Sequence, residues 1–199
     1  MSKPEKRYAM VIDLRRCIGC NSCTVACKLE NSTPEGKFRS WVIERETGEY
    51  PAVDRYNLPR LCNHCDNPPC LKACPTGATF AGEGGSILVD PKKCIGCRYC
   101  MAACPYTARF INNKVHAADK CTFCYHRVSV GLLPACVTTC VGHARFFGDL
   151  NDKASTVARL LADHKADILD PELGTKPQVF YIVPPGTSLK SVWGSKGGE

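Results

Sequence analysis

The sequence predicts an α+β fold built as two nested modules of short strands, small helices and much loop. Two internal repeats carry that prediction. VIDLRRCIGCNSCTVAC (11–27) aligns without gaps on LVDPKKCIGCRYCMAAC (88–104), matching Asp13 with Asp90, Ile18-Gly19 with Ile95-Gly96 and Ala26 with Ala103. CNHCDNPPCLKACPTGATF (62–80) aligns on CTFCYHRVSVGLLPACVTTCVGHARF (121–146) once the longer gap of the second is read as an insertion. Ala78 then falls on Ala144 and Phe80 on Phe146. Self-similarity of this kind marks one structural unit used more than once.

The short apolar runs YAMVID and SILVD read as strands that deliver the chain to Cys17 and Cys94. The Ile-Gly between the cysteines allows a tight turn, and the apolar TVAC and MAAC that follow predict short helical turns. Residues 59–110 hold one half-motif of each kind in series, joined by the Gly-rich AGEGGS, and form the inner module. Residues 1–58 and 111–148 then complete the outer module, with YAMVID pairing with ARFFG as ATF pairs with SILVD, although the spacing alone allows other pairings of the halves. The alternation in FRSWVIERETGEYPAV predicts strands or an extended hairpin around Trp41. In 149–199, NDKASTVARLLADHKAD sets Val157, Leu160, Leu161 and His164 at helical spacing, with Asn151 or Asp152 as cap. KPQVFYIV reads as a strand, and the Pro/Gly-rich tail beyond it as an extended segment that packs on a partner or stays disordered.

Sixteen cysteines in 199 residues call for disulfides, zinc sites or iron–sulfur clusters. Short vicinal loops strain a disulfide and leave its pairing ambiguous. Zinc sites draw on separated CxxC pairs that supply two ligands each. Three cysteines at i, i+3 and i+6 in one loop instead reach three irons of a cubane, and a remote cysteine takes the fourth. Bacterial two-cluster ferredoxins are built this way, the fourth cysteine of each string serving the neighbouring cluster. Both modules therefore read as ferredoxin-like, and the crossed rule assigns four [4Fe-4S] clusters. Cys62, Cys65, Cys70 and Cys104 hold one, and Cys74, Cys94, Cys97 and Cys100 its neighbour. In the outer module Cys17, Cys20, Cys23 and Cys140 hold a third, and Cys27, Cys121, Cys124 and Cys136 a fourth. Pro75 and Pro105 follow the fourth cysteine of the inner strings, whereas Lys28 and Val141 stand there in the outer ones. The stretch YHRVSVGLLPA between Cys124 and Cys136 is tolerable because closure cost grows slowly with loop length. It predicts an excursion turning at Gly131 with apolar flanks, either a packing element or a face for a partner.

The formal charge of +7 falls to about −1 once sixteen thiolates and four cubane cores are included. The basic residues are thus counter-charge for clusters, and their scatter excludes a nucleic-acid surface. His64 and His126 read as structural or hydrogen-bonding, His116 and His143 as surface or structural. Tyr99 and Tyr106 read as shields beside the clusters, Arg98 and Lys72 as solvated charges. No triad, acid–base carboxylate pair or phosphate loop is present, and GEGG is a turn, so no catalytic residue is expected. No apolar run is long enough to span a bilayer. MSKPEKRYAMVID lacks the apolar core and cleavage site of a secretory signal.

Across nearly the whole chain, from RYAMVIDLRRCIGC to PQVFYIVP, the sequence resembles the four-cluster electron-transfer subunits of membrane-associated molybdopterin oxidoreductase complexes. CKLEN, CNHCDNPPC and HKADILDPELGTKPQVFYI are most similar to the polysulfide, thiosulfate, tetrathionate and arsenate reductase branch. The arsenate type carries a long insertion before its last string. Only residues 105–120 separate Cys104 from Cys121 here, which leans the resemblance towards polysulfide or thiosulfate reductase. The resemblance implies a large molybdopterin catalytic subunit, the molybdopterin residing only in that partner, and an integral membrane quinone-binding subunit. It also implies membrane association through partners, on the periplasmic face by co-export with a twin-arginine-tagged catalytic subunit, the cytoplasmic face being the alternative. Related arsenate, tetrathionate or DMSO reductases, a free soluble polyferredoxin and a zinc-stabilised scaffold are the competing expectations.

Overall fold

The structure is a computed structural model and describes residues 5–193. The chain opens on β1 (Tyr8–Asp13), buried along its whole length. Asp13 ends the strand, and its Oδ1 accepts the Arg15 N–H at 3.1 Å, a side-chain turn that aims the chain at Cys17. The repeat copies this device: Oδ1 of Asp90 accepts the Lys92 N–H at 2.9 Å just before Cys94. Helix α1 (Ser22–Glu30) precedes an antiparallel hairpin of β2 (Ser40–Glu49) and β3 (Ala52–Leu61). Trp41 lies at the start of β2, opposite Arg60, in the hairpin that the alternation predicts.

Next come α2 (Pro69–Lys72), β4 (Thr79–Ala81), β5 (Ile87–Val89) and α3 (Tyr99–Ala102). A small hairpin, β6 (Phe110–Asn112) with β7 (Ala117–Asp119), leads on to the last cysteine string. Helices α4 (Tyr125–Val128) and α5 (Ala135–Thr138) bracket the stretched loop. The described chain ends with β8 (Arg145–Asp149), α6 (Thr156–Asp163), β9 (Val179–Ile182) and α7 (Leu189–Trp193).

Strand order in the main sheet is β8-β1-β9. β8 runs antiparallel to β1, pairing Tyr8 with Asp149 and Ile12 with Arg145. β9 runs parallel to it on the other side, pairing Met10 with Val179 and Asp13 with Ile182. β4 and β5 pair antiparallel, Thr79 with Val89. YAMVID thus pairs with RFFGD, and TFA with ILV, as the repeat predicts. A central strand covered on both faces needs an unbroken apolar run. Val11 faces Val157 and Ile182 under α6, while Met10 and Ile12 join the larger core with Leu58, Leu61 and Tyr181.

Three elements depart from the local reading. TVAC does lie in a helix, but α1 starts at Ser22 and runs on past Cys27 to Glu30, whereas α3 stops at Ala102. Pro105 explains the difference, because a proline disfavours the helical region for the residue before it. Lys28 in the outer string imposes no such stop. The cap of α6 is Ser155, whose Oγ accepts the Ala158 N–H at 3.2 Å, rather than Asn151 or Asp152. Asp152 instead bonds the Ala154 N–H at 2.8 Å and turns the chain into the cap. His164 lies just beyond the helix, at its C-cap. The tail, to Trp193, folds back on its own chain: Leu189, Val192 and Trp193 are buried in the main core. The expectation for 194–199 lies outside the described residues.

Candidate metal centres

The four cysteine strings share one local geometry. The residue before the second cysteine is left-handed in each: Gly19, His64, Gly96 and Phe123. Three residues after the fourth cysteine another left-handed position recurs, at Gly77, Thr107 and His143. It is followed by a buried alanine, Ala78, Ala108 or Ala144. This turn wraps backbone N–H groups around sulfur. Ala144 N–H donates to Cys140 Sγ at 3.2 Å and Thr79 N–H to Cys74 Sγ at 3.4 Å; outside such a turn, Ala118 N–H of β7 donates to Cys94 Sγ at 3.3 Å. Pro68 and Pro134 each start a helix two residues before the third cysteine, Cys70 or Cys136.

Three of the four remote cysteines, Cys140, Cys27 and Cys104, lie near the cysteines they are expected to join. Cys17, Cys20, Cys23 and Cys140 line one cavity. Cys27, Cys121, Cys124 and Cys136 line a second. Cys62, Cys65, Cys70 and Cys104 gather within electrostatic reach of one another. Of the last set, Cys94 and Cys100 share a small core with Cys70, and Cys74 follows α2, which packs against α3. All sixteen thiols are free. Among the described residues no three His, Cys, Asp or Glu side chains gather closely enough for one bare ion. A zinc ion would draw its sulfurs to about 2.3 Å from one centre. Cysteines spread around a cavity suit a polynuclear centre instead.

Charge points the same way. Burial pushes the Cys27 thiol up to about 12, Cys136 and Cys124 adding repulsion. Burial, then Cys62, do the same for Cys65, also to about 12. Cys74 goes the other way. Burial opposes its ionisation, but the Thr79 N–H and the Thr76 hydroxyl outweigh it, and the thiol falls to about 7. Buried thiols become thiolates only against nearby positive charge, which iron supplies on binding.

Two arginines stand ready for that negative charge. Arg145 is buried and hydrogen-bonds Ser40 Oγ at 3.0 Å. Burial opposes its charge, but Cys136 and Cys23 hold the guanidinium above its ordinary value. Arg109 is also buried; it donates to Cys70 Sγ at 3.0 Å and to Thr79 Oγ1 at 3.1 Å. Burial again opposes the charge, and Cys70, Cys62 and Cys100 outweigh it. Among the described residues neither arginine has a carboxylate partner. A buried cation without one needs another source of negative charge. The thiolate sets on either side fit that need. Neither arginine was expected from the sequence, although the tripeptide Ala-Arg-Phe recurs at 108–110 and 144–146.

The other expected residues fall out as follows. His126 bonds Glu30 at 2.7 Å and Arg127 bonds it at 2.9 Å, so the extra turn of α1 braces the stretched loop. That loop turns at Gly131 (φ 81°). Its apolar flank faces solvent: Val130 is 69% exposed, Leu132 53% and Leu133 47%. His116 and His143 are exposed turn residues. Arg98 and Lys72 are exposed, Lys72 bonding Asn67. Tyr99 is exposed, because it opens a helix whose buried face is that of Cys100. Tyr106 is buried and anchors the C-terminal segment, bonding Thr175 at 2.6 Å and the Leu169 carbonyl at 3.2 Å. His64 is wholly buried beside its cysteines, and burial, with Lys120 and Arg109, keeps it neutral well below its ordinary range.

Fold and site define an iron–sulfur electron carrier. Residues 16–78 and 53–150 each match a 4Fe-4S dicluster domain model. A tetrathionate reductase subunit from Salmonella typhimurium is 56% identical over 185 residues, 90% of this chain and 73% of the relative. A selenate reductase subunit from Mesobacillus selenatarsenatis is 42% identical, covering 92% of this chain and 74% of the relative. The arsenate respiratory reductase iron-sulfur subunit of Shewanella sp. is 38% identical, covering 88% and 96%. The chain belongs to the 4Fe-4S dicluster family, among the iron–sulfur electron-transfer subunits of reductase complexes. Its cofactors are four [4Fe-4S] clusters, and none of the helices among the described residues is long and apolar enough to cross a membrane.

Proposed function

We propose that this chain carries electrons between an integral membrane quinone-binding subunit and a molybdopterin catalytic subunit that acts on an oxidised sulfur compound. The observation that carries the reading is the placing of buried, carboxylate-free arginines beside the cysteines: Arg145 lines the cavity of Cys17, Cys20, Cys23 and Cys140, and Arg109 bonds Cys70 Sγ. The four ligand sets are those of the crossed rule. Cys17, Cys20 and Cys23 go with Cys140; Cys27 goes with Cys121, Cys124 and Cys136; Cys62, Cys65 and Cys70 go with Cys104; Cys74 goes with Cys94, Cys97 and Cys100. When bound, each cluster supplies one-electron redox chemistry at a potential set by its hydrogen bonds, charge and exposure. The chain itself contributes sulfur ligands, N–H donors and buried cations, and no catalytic group. Residues 59–110 form the inner module and the flanking segments the outer one, supported by the pairing of β4 with β5 and of β1 with β8.

An obligate subunit, rather than a free polyferredoxin, is favoured by the apolar surface beside the outer cysteines. Val25 and Leu29 line a groove between α1 and α5 with Thr138 and Thr139. Leu29 is 78% exposed. Exposed apolar patches of this kind mark protein contacts. Similarity to a tetrathionate reductase subunit favours tetrathionate as the partner's substrate over the polysulfide or thiosulfate to which the short 105–120 segment leans. The complex attaches to the membrane through its partners, on the periplasmic face by co-export with the catalytic subunit. Co-expression with a molybdopterin subunit and a quinone-binding subunit tests this. Quinol-driven tetrathionate reduction that disappears when this chain is left out is expected. A soluble monomer that reduces several unrelated enzymes and binds neither subunit contradicts it.

A further inference from the structure

Two of the four strings meet the left-handed demand before the second cysteine with glycine, at Gly19 (φ 71°) and Gly96 (φ 69°). Glycine adopts that conformation freely. The other two place an aromatic ring there, His64 (φ 44°) and Phe123 (φ 54°), against the steric preference of any side chain. Those two rings find each other. They stack with centroids 3.7 Å apart and planes 18° from parallel, and each residue is 1% exposed. Strain kept at two corresponding positions, whose side chains meet, points to a function for the contact.

The surroundings tie the two strings together at this point. Nδ1 of His64 accepts the Ile87 N–H at 3.0 Å. Nε2 is buried and makes no hydrogen bond among the described residues. Lys120 Nζ donates to the carbonyls of both Ile87 and Cys121. Burial, then the cysteines of its own set, then Cys62 push up the Cys121 thiol, so the two strings lie within electrostatic reach. Gly19 and Gly96 face no such junction. A Cβ at Gly19 would meet the Asn57 side chain at 2.7 Å, and one at Gly96 only the His116 carbonyl at 3.7 Å.

We propose that the stacked His64 and Phe123 rings are the packed contact that couples the inner module electronically to the outer one. The coupled centres are those of Cys62, Cys65, Cys70 and Cys104 and of Cys27, Cys121, Cys124 and Cys136, so the inference rests on the ligand sets proposed above. One electron leaves the reduced centre on one side and reduces the oxidised centre on the other. Neither ring gains or loses a proton or a bond. Tunnelling decays more steeply across a void than through packed atoms. A ring pair filling the junction therefore keeps the transfer fast, and the left-handed backbone brings both cysteine loops up to it.

The test uses the full iron-loaded chain, given less than one electron per molecule and followed by rapid-freeze EPR. Phe123→Leu and His64→Leu remove a ring while keeping an apolar side chain of similar bulk. Both are expected to keep their iron and their final distribution of the electron, and to reach that distribution several-fold more slowly. His64→Phe, which restores a stack, is expected to recover the wild-type pace. Wild-type pace in both leucine variants overturns the proposal. Loss of iron in them overturns it too, since the rings would then hold the ligand loops rather than couple them. A wild-type chain with far fewer than about sixteen irons is a separate failure, of the ligand sets themselves.

Discussion

The loop system around Arg109 and the one around Arg145 come from the same repeat and are closed by different means. The inner one closes locally: β4 and β5 are three residues each and meet across the Gly-rich turn at Gly84. Its arginine bonds a cysteine sulfur directly. The outer one brings Cys27 and Cys121 to one cavity across nearly half of the chain, and closing so long a loop costs more entropy. Correspondingly more structure holds it. β1 pairs with β8 over five residues and with β9 on its other edge, α6 covers one face, and Ser40 of the β2–β3 hairpin holds Arg145. Glu30, reached only because no proline stops α1, pins the stretched loop. One cysteine geometry is thus served by short local pairing in one place and by burial of a long-range sheet in the other.

The comparison breaks first at the remote cysteines. Cys140→Ser is expected to drop iron from about sixteen to about twelve per chain, one cubane. The missing EPR signals should match those missing in Cys20→Ser. A match to Cys124→Ser would instead refute the crossed pairing. Next in size is the removal of a buried cation. Arg145→Met and Arg109→Met should each cost about 3–5 kcal/mol in denaturant unfolding, the cost of leaving buried charge unpaired. In redox titration each should lower potentials in its own module alone, and equal shifts in both modules would blur the distinction. Ser155→Ala removes the cap of the helix that covers only the outer sheet, so about 1 kcal/mol is expected, with inner-module signals unchanged.

The smallest effect is a pH dependence at Glu30. Its carboxyl lies below the ordinary value because His126 bonds it, with Arg127 adding positive charge. A depressed folded value contributes stability above the unfolded value of about 4.3, lost as pH falls through the folded one. Hydrogen exchange in residues 125–134 should therefore be faster in Glu30→Gln than in the wild type at pH 7. The two should converge once acid has protonated Glu30.

Much of this was legible in the residues. The cysteine spacing and the two strands that run into Asp13 and Asp90 reveal the clusters, and the Val157, Leu160, Leu161 stripe reveals α6. What stayed hidden depends on distant partners. That β9 would lie parallel to β1 follows from packing across the sheet, which no local pattern encodes. Arg109 and Arg145 look like surface charges in a string, and only burial beside sulfur gives them a role. The tail reads as polar, yet Trp193 stacks on Arg60 at 3.8 Å and bonds Asp170 at 3.0 Å, a contact set by tertiary structure. His64 and Phe123 occupy matching positions of two strings, but that their rings meet depends on how those strings pack.

The central claim is that this chain is a four-cluster electron carrier. Iron and acid-labile sulfide per chain, measured on anaerobically prepared protein with EPR of the reduced sample, test it most directly. A four-cluster carrier gives about sixteen of each, with spin-coupled signals. Little iron, about four zincs and no colour would contradict it.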